Sequence, residues 1–474
     1  MIKIPHKKTK IVATIGPASE SEEIMTKLVL AGMNVARQNF SHGDYEEHNK
    51  RINIARKISE KLKVPLAILQ DLSGPKIRIG DFKEGQVTLV PGKTLTLSVE
   101  PCEGTESKVF INYPTLNKEL KKGSIVFLND GKVKLEVERI EGKNIVCKIL
   151  VGGAIKSKRG VNLPGAYLKI SCLTDKDRED LKFGIKHEVD FMALSFVRKA
   201  SDIIELKQIL EKAKADIKVI AKIETPEAIE NIDEIIKEAD GVMVARGDLA
   251  VEVPAEEVPI LQKMIIRKCN ALGKPVITAT QMMASMVNSA VPTRAEVNDV
   301  ANAILDGTDA VMLSEETTLG DHPETVVKMM SKIAMHTEKY YPYEETLRRN
   351  HLSNKEITDS ICNAAANLAH EIDAKAIVAL TVSGHTAKMI SRYRPKQPII
   401  VVTPNKKVYN RSALKFNCYP VLTEMLQGVT DSIEKAKKIS LETGFTKKGD
   451  KLIILAGIPF THSGNTNLVL VQTV

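Results

Sequence analysis

Stiff apolar runs of strand length recur along the chain, and most are followed by a stretch of helical period. The runs are KIVATIG (10–16), NVARQNF (34–40), PLAILQDL (65–72), FMALSFV (191–197), KVIAKIE (218–224), GVMVARG (241–247), KPVITATQ (274–281) and AVMLSEE (310–316). Amphipathic patterns at 44–62, 200–214, 256–272 and 293–306 lie in the gaps. Strand period alternating with helical period predicts β-α units, and repeated β-α units predict a parallel sheet. Eight such units over about 250 residues favour an α/β fold closed as a (β/α)8 TIM barrel over an open doubly wound sheet.

The beat breaks once, between Asp71 and about Leu168, where no helical pattern is found. Short strand-like pieces stand there instead: QVTLVPGKTLTLSVE, GSIVFLNDG and KLEVERIEGKNIVCKIL, separated by Gly, Pro and Asn-Asp-Gly turn signals. The expected organisation is a first barrel part over 1–71, an inserted all-β domain, a β-barrel lid, over 72–168 after strand 3, and a second barrel part over 169–340. The insert is entered near Gly74-Pro75 and left near Pro164-Gly165, junctions suited to a lid over the barrel mouth. Beyond the polar connector YYPYEETLRRNHLSNKE, residues 341–474 read as a C-terminal α/β domain. A helix at 356–370 and runs at 375–381, 398–404, 419–422, 451–458 and 467–474 predict a mostly parallel sheet.

Composition narrows the class. At 474 residues the chain needs more than one core, and 27% charged with 43% hydrophobic residues is the balance of a globular protein. The net charge of +9 is dispersed among Asp and Glu, with no basic tract or aromatic-rich RNA-binding signature, so no nucleic-acid partner is expected. The excess fits phosphorylated ligands. Six scattered cysteines form no CxxC pair and read as free thiols of a reducing compartment. The basic N-terminus lacks the apolar core of a signal peptide, and no apolar run approaches the roughly 20 residues that span a bilayer. A cytoplasmic protein with no membrane partner is expected.

Barrel enzymes place catalytic groups at the carboxyl ends of the strands. Those ends carry Arg37, Asn39 and Ser41, then Asp71, Ser195, Lys222 and Glu224, Arg246 and Asp248, Thr280 and Gln281, and Glu315. A single charged strand end is a solvated terminus or a self-satisfied ion pair. A charge on nearly every strand implies side chains converging on one concave volume. Glu224 and Asp248, on successive strands, suit Mg²⁺, which takes one or two carboxylates plus substrate oxygens. Lys222 and Arg37 add cations suited to a phosphoryl group. Gly247 serves a tight turn and leaves room for a ligand against the backbone. His42 reads as a structural histidine rather than a general base, and Met282 with Met283 as barrel packing.

With the segments NVARQNFSHG (34–43), QDLSGPKIR (70–78), KIETPEAIENIDEI (222–235), VARGDLAVEVP (244–254), PVITATQM (275–282), PTRAEVNDVANAILDG (292–307) and MLSEETTLGDHP (312–323), the chain resembles the pyruvate kinase family over essentially its whole length. The resemblance implies a homotetrameric glycolytic enzyme that transfers the phosphoryl group of phosphoenolpyruvate to ADP, giving ATP and pyruvate. It implies Mg²⁺, or Mn²⁺ in its place, on Glu224 and Asp248. Lys222 would stabilise the transferring phosphoryl group and Arg37 would bind phosphate. Gly247, Asp248 and Thr280 would hold the substrate carboxylate, and Thr280, acting through water, is the expected proton donor. Asn39, Phe40, Ser41, His42, Arg78 and Lys176 would contribute to nucleotide and phosphate binding.

Asn39, Ser41, Asp71 and the carbonyl of Leu72 match the family's monovalent-cation site. Potassium-dependent members carry a glutamate just after the Gly-Pro of this loop, where this chain has Lys76. An ammonium there supplies the cation's charge and repels K⁺, so K⁺ is expected not to be required. Thr381, Ser383, Gly384, His385 and Thr386, with GIPFTHSGNTN (457–467), match the family's effector loops, implying a phosphorylated effector. The plain alternative for that segment is a helix cap, and His385 stands where the family often has arginine. The rival functions are another enolate-forming barrel enzyme such as an aldolase or lyase, a catalytically dead scaffold, and a nucleic-acid binder.

Overall fold

The structure is a computed structural model that describes residues 5–166, 169–349, 356–425, 428–458 and 464–474. The chain opens with β1 (Lys10–Thr14), β2 (Val35–Asn39) and β3 (Ala67–Asp71), each buried along nearly its whole length. An excursion follows through β4 (Gln86–Leu89), β5 (Thr94–Ser98), β6 (Lys108–Phe110), β7 (Ile125–Leu128), β8 (Val133–Glu141), β9 (Asn144–Val151), β10 (Gly153–Lys156) and β11 (Val161–Asn162). The chain then returns as β12 (Phe191–Leu194), β13 (Lys218–Ile223), β14 (Gly241–Ala245), β15 (Val276–Ala279) and β16 (Ala310–Leu313).

The eight strands outside the excursion close a parallel barrel in the order β1-β16-β15-β14-β13-β12-β3-β2. Closure is set by β1 on β16, with Lys10 opposite Ala310, and by β3 on β12, with Ala193 opposite Asp71. That register brings the carboxyl ends of all eight strands to one rim. Local chemistry fixes where each strand stops. After β13, the Thr225 hydroxyl accepts from the Ala228 N–H and Pro226 opens the helix Pro226–Glu230, a cap with proline in the first turn. No helix among the described residues is long and apolar enough to cross a membrane.

The excursion has its own apolar core, including Leu95, Leu97, Val126, Leu135 and Ile145. It is not the closed β-barrel expected from the sequence. Its main sheet is open, in the order β11-β7-β8-β9-β5-β6, beside the two-stranded ribbon β10-β4. The segment that would close it reaches both sheet edges only through the isolated bridges Arg78–Gly160 and Ile79–Ile111. Two bridges do not make a continuous ladder. The insert also contains the short helix Leu116–Glu119, too brief to show a helical period. Its expected end at Leu168 lies outside the described residues, as do 350–355 of the connector.

The C-terminal domain carries β17 (Ala376–Leu380), β18 (Ile399–Thr403), β19 (Cys418–Leu422), β20 (Lys451–Ala456) and β21 (Leu468–Thr473), in the order β19-β18-β17-β20-β21. Only the β20–β21 pair is antiparallel. This domain docks on the barrel through a buried ion pair. Arg394 donates to both Asp309 oxygens, at 2.9 and 2.7 Å, and also to Asn270. Asp309 precedes β16 and accepts a further bond from Phe416 N at 2.9 Å.

Removing one partner of such a pair strands a charge away from water, at a cost of about 3–5 kcal/mol. The Arg394→Met variant is expected to show an earlier first melting transition in scanning calorimetry, reflecting loosened docking of the C-terminal domain.

Candidate active site

Side chains alternate across a strand, so in β13 and just beyond it Lys222 and Glu224 emerge on one side. Lys222 Nζ lies 3.0 Å from Glu224 Oε1 and 3.3 Å from Asp71 Oδ1, and donates to Ser195 Oγ at 2.6 Å. From β2, Arg37 Nε donates to Asp71 Oδ2 at 2.7 Å, and its Nη1 donates to Thr14 Oγ1 at 2.8 Å. Four charged groups from three strands thus meet in one buried cluster. Burial lowers the pKa of Lys222, but Asp71 and Glu224 outweigh it and hold the ammonium well above its usual range. Burial would likewise raise Asp71, yet Lys222 and Arg37 keep its carboxyl below the usual value.

Glu224 behaves differently. Burial pushes its pKa up, Lys222 opposes this, and the nearby Asp248 charge adds to it. Its Oε2 accepts from Phe196 N at 2.6 Å, whereas Oε1, close to Lys222 but poorly aligned with it, has no hydrogen bond. A buried carboxylate oxygen without a hydrogen bond, with Asp248 nearby, is a donor set that fits a hard divalent cation. Among the described residues no cluster of three or more His, Cys, Asp or Glu side chains could hold a metal. A cation here would therefore complete its shell with water and substrate oxygens.

The expected carboxylate-binding turn is built by strain. Thr280 and Gln281, which follow β15, have φ of 71° and 54°. For a β-branched residue this left-handed conformation is an outlier, held only because its surroundings impose it. The Thr280 hydroxyl accepts from Gly247 N at 2.8 Å, and the Thr280 carbonyl accepts from Arg246 Nη2 at 2.8 Å. Arg246, expected to converge with the other strand-end charges, instead commits its guanidinium to this turn and to Asp299 at 2.7 Å. It is the first residue of the helix Arg246–Glu252, and leaving the strand there redirects its side chain.

Of the expected nucleotide-binding residues, Asn39 Oδ1 accepts from Ser41 N at 3.2 Å, shaping the loop after β2. The His42 ring has its pKa lowered by partial burial and by the positive charges of Arg78, Lys76 and Arg37, so these cations face one region. Arg78 Nη1 donates to the Lys158 carbonyl at 3.1 Å. Phe40 does not offer a free group: its ring stacks on His48 at 4.1 Å, its N–H donates to Asp71 O, and its carbonyl accepts from Lys176. Lys176 is also held by Asp180 at 2.6 Å. The Leu72 carbonyl accepts from Ser195 Oγ at 2.7 Å. The Lys76 ammonium has no hydrogen bond or ion pair among the described residues. Lys76 lines a cleft of about 190 Å³ between insert and barrel, together with Phe196, Asp248 and Glu252.

Residues 6–327 match the family model described as Pyruvate kinase, barrel domain, and residues 359–472 match Pyruvate kinase, alpha/beta domain. The chain belongs to the pyruvate kinase family. Proteins named pyruvate kinase from Staphylococcus epidermidis and Geobacillus stearothermophilus are each 47% identical to it, over 471 and 472 residues, covering 99% of this chain and 80% of each relative. A crystal structure of a pyruvate kinase from Cryptosporidium parvum superposes with a TM-score of 0.95 at 36% identity, covering 99% of this chain and 96% of that one. Function is accordingly that of a pyruvate kinase, a phosphotransferase.

The expected effector loop lies after β17. Thr381 Oγ1 accepts from Gly384 N at 2.9 Å, Gly384 has φ 81°, and Thr386 Oγ1 is paired with Thr466 Oγ1 at 2.8 Å. Ser383 is exposed, and the His385 pKa is lowered by burial and by Lys388. Residues 459–463 of the second loop lie outside the described residues. Sequence reasoning missed Thr14, which orients Arg37, and the Phe196 N–H, which holds Glu224. A backbone donor carries no residue signature, though the Ser-Phe at the end of a barrel strand marks its place.

Thr280→Gly removes the unfavourable φ of a β-branched residue, worth about 1–3 kcal/mol, along with the hydroxyl. The variant is expected to melt no earlier than the parent while kcat/KM falls at least about tenfold, read by thermal denaturation and steady-state kinetics.

Proposed function

We propose that this cluster transfers the phosphoryl group of phosphoenolpyruvate to ADP. The bond between phosphorus and the enol oxygen breaks, a new bond forms to a terminal oxygen of ADP, and the enolate takes a proton at carbon to become pyruvate. The observation that carries the reading is the Glu224 oxygen left without a hydrogen bond, next to a lysine held charged by two carboxylates. Lys222 and Arg37 would counter charge on the phosphoryl group in transit, where preorganised cations act most strongly. Glu224 and Asp248 would hold Mg²⁺, or Mn²⁺, which supplies Lewis-acid charge neutralisation when bound. Gly247 N–H and Thr280 Oγ now bond each other, and a substrate carboxylate would exchange that bond for its own. Thr280 would then relay a proton through water. Asn39, Phe40, Ser41, His42, Arg78 and Lys176 would contribute to nucleotide and phosphate binding, Phe40 by shaping the loop and Lys176 with the exposed part of its ammonium.

Pyruvate formation from phosphoenolpyruvate in a coupled assay should require ADP, which separates this reading from a lyase. Lys222→Met should lower kcat by about 10²–10³, the usual loss on removing one preorganised charge-stabilising donor. A loss confined to KM would argue for a binding role alone.

We infer further that Lys76 replaces the monovalent cation. Its ammonium has no partner among the described residues, faces the region of Arg37 and His42, and lines the cleft with Asp248. Activity in a buffer whose only monovalent cation is a bulky organic one should rise by less than about tenfold on adding KCl, and Lys76→Glu should create a potassium requirement. A tenfold or greater rise in the parent, about 1.4 kcal/mol of transition-state stabilisation, would count against it. The working form is read as a cytoplasmic homotetramer. The Thr381–Thr386 loop is read as a site for a phosphorylated effector, which a panel of sugar phosphates and nucleoside monophosphates tests through the KM for phosphoenolpyruvate.

A further inference from the structure

Glu252 is a carboxylate at the junction of insert and barrel that the reaction does not use. It ends the helix Arg246–Glu252, whose first turn carries Gly247 and Asp248. Its Oε1 accepts from Asn162 Nδ2 at 3.0 Å and from Leu163 N at 3.3 Å. Asn162 ends β11, the last strand of the insert, and the chain then returns to the barrel through Pro164-Gly165. Glu252 has no ion pair among the described residues, and burial, with the Asp248 charge adding to it, raises its pKa. The other end of the helix is held by Gly247 N on Thr280 Oγ1. A seven-residue helix has little stability of its own, so its position depends on tertiary contacts: Arg246 and Gly247 hold its start, Leu249 is buried, and the Glu252 bonds are the side-chain tether at its end.

We propose that Glu252 is a positioning residue that latches the exit strand of the insert to the helix carrying Asp248, so that seating the insert over the barrel mouth and aligning Asp248 are one event. The charged acceptor makes the two bonds stronger than neutral ones. When the exit strand withdraws, the helix loses its carboxyl-terminal tether, and the Asp248 turn loses its alignment with Glu224. The proposal rests on the reading of Asp248 as a metal ligand, and the test separates the two.

Full-length Glu252→Ala, Glu252→Gln and Asp248→Asn are compared with the parent by hydrogen exchange at the Leu163 amide, by the Mg²⁺ concentration that half-completes the thermal shift, and by kcat and KM. In Glu252→Ala the amide should exchange about tenfold faster, and the Mg²⁺ midpoint should rise by about tenfold, as on loss of a group supporting a metal ligand. Glu252→Gln keeps a neutral acceptor and should recover most of both readouts and of kcat. If Glu252→Ala matches the parent in exchange and Mg²⁺ midpoint while Asp248→Asn abolishes the shift, the latch is wrong and the metal reading stands. If Glu252→Gln is as impaired as Glu252→Ala, the hydrogen bonds are not the cause and the latch is again overturned. If Asp248→Asn leaves the Mg²⁺ shift unchanged, the metal reading fails and the proposal with it.

Discussion

Four charges that cannot be separated hold the active rim together. Taking Arg37, Lys222, Asp71 and Glu224 out of water costs several kcal/mol per ion, and only mutual pairing makes the arrangement tolerable. Asp71 is the pivot, because it receives Arg37 on one oxygen and faces Lys222 with the other. The strands that supply these groups must therefore keep their register: a slip of one residue would turn each charge out of the cluster. Val12, Val35, Leu69, Ile220 and Met243 form a buried apolar layer inside the barrel next to these strands. Low local dielectric then makes each surviving charge effective.

Three of the residues with unfavourable backbone angles stand at the active rim. Phe196, Thr280 and Gln281 all follow barrel strands and all have positive φ. At Phe196 the turn aims a backbone N–H at Glu224, and at Thr280 it aims a hydroxyl at Gly247. Arg246 binds the Thr280 carbonyl, so two successive residues at the neighbouring strand end hold the strained turn by its carbonyl and its hydroxyl.

Much of this was legible in the residue order, for physical reasons. Branched apolar residues at strand period gave all eight barrel strands, Thr225-Pro226 gave a helix start, and Asn129-Asp130-Gly131 gave the turn between β7 and β8, where all three residues have positive φ. Charges at strand ends pointed to Lys222, Glu224 and Arg37. What stayed hidden depended on direction. Arg246 and Lys222 look alike as strand-end cations, but one begins a helix and turns aside. Phe40 sits in a recognisable segment, yet its ring and backbone groups are already engaged by tertiary contacts. The open edge of the inserted sheet was invisible because closure depends on pairing between distant segments.

The way the insert is spliced in has a consequence for how the molecule can change over time. β3 and β12 are neighbours in the barrel although the whole inserted domain lies between them in the chain. The entropy of joining two strand ends grows only with the logarithm of the intervening length, so each doubling adds about 0.6 kcal/mol. The excursion also folds around apolar residues of its own. Barrel closure is thus nearly indifferent to how long the excursion is, and its size and shape are free to drift. The return strand is the exception, because β11 and the residue after it are hydrogen-bonded to the helix beside the chemistry. Natural variation in the insert should therefore accumulate at its far hairpins and fade toward the point where the chain re-enters the barrel.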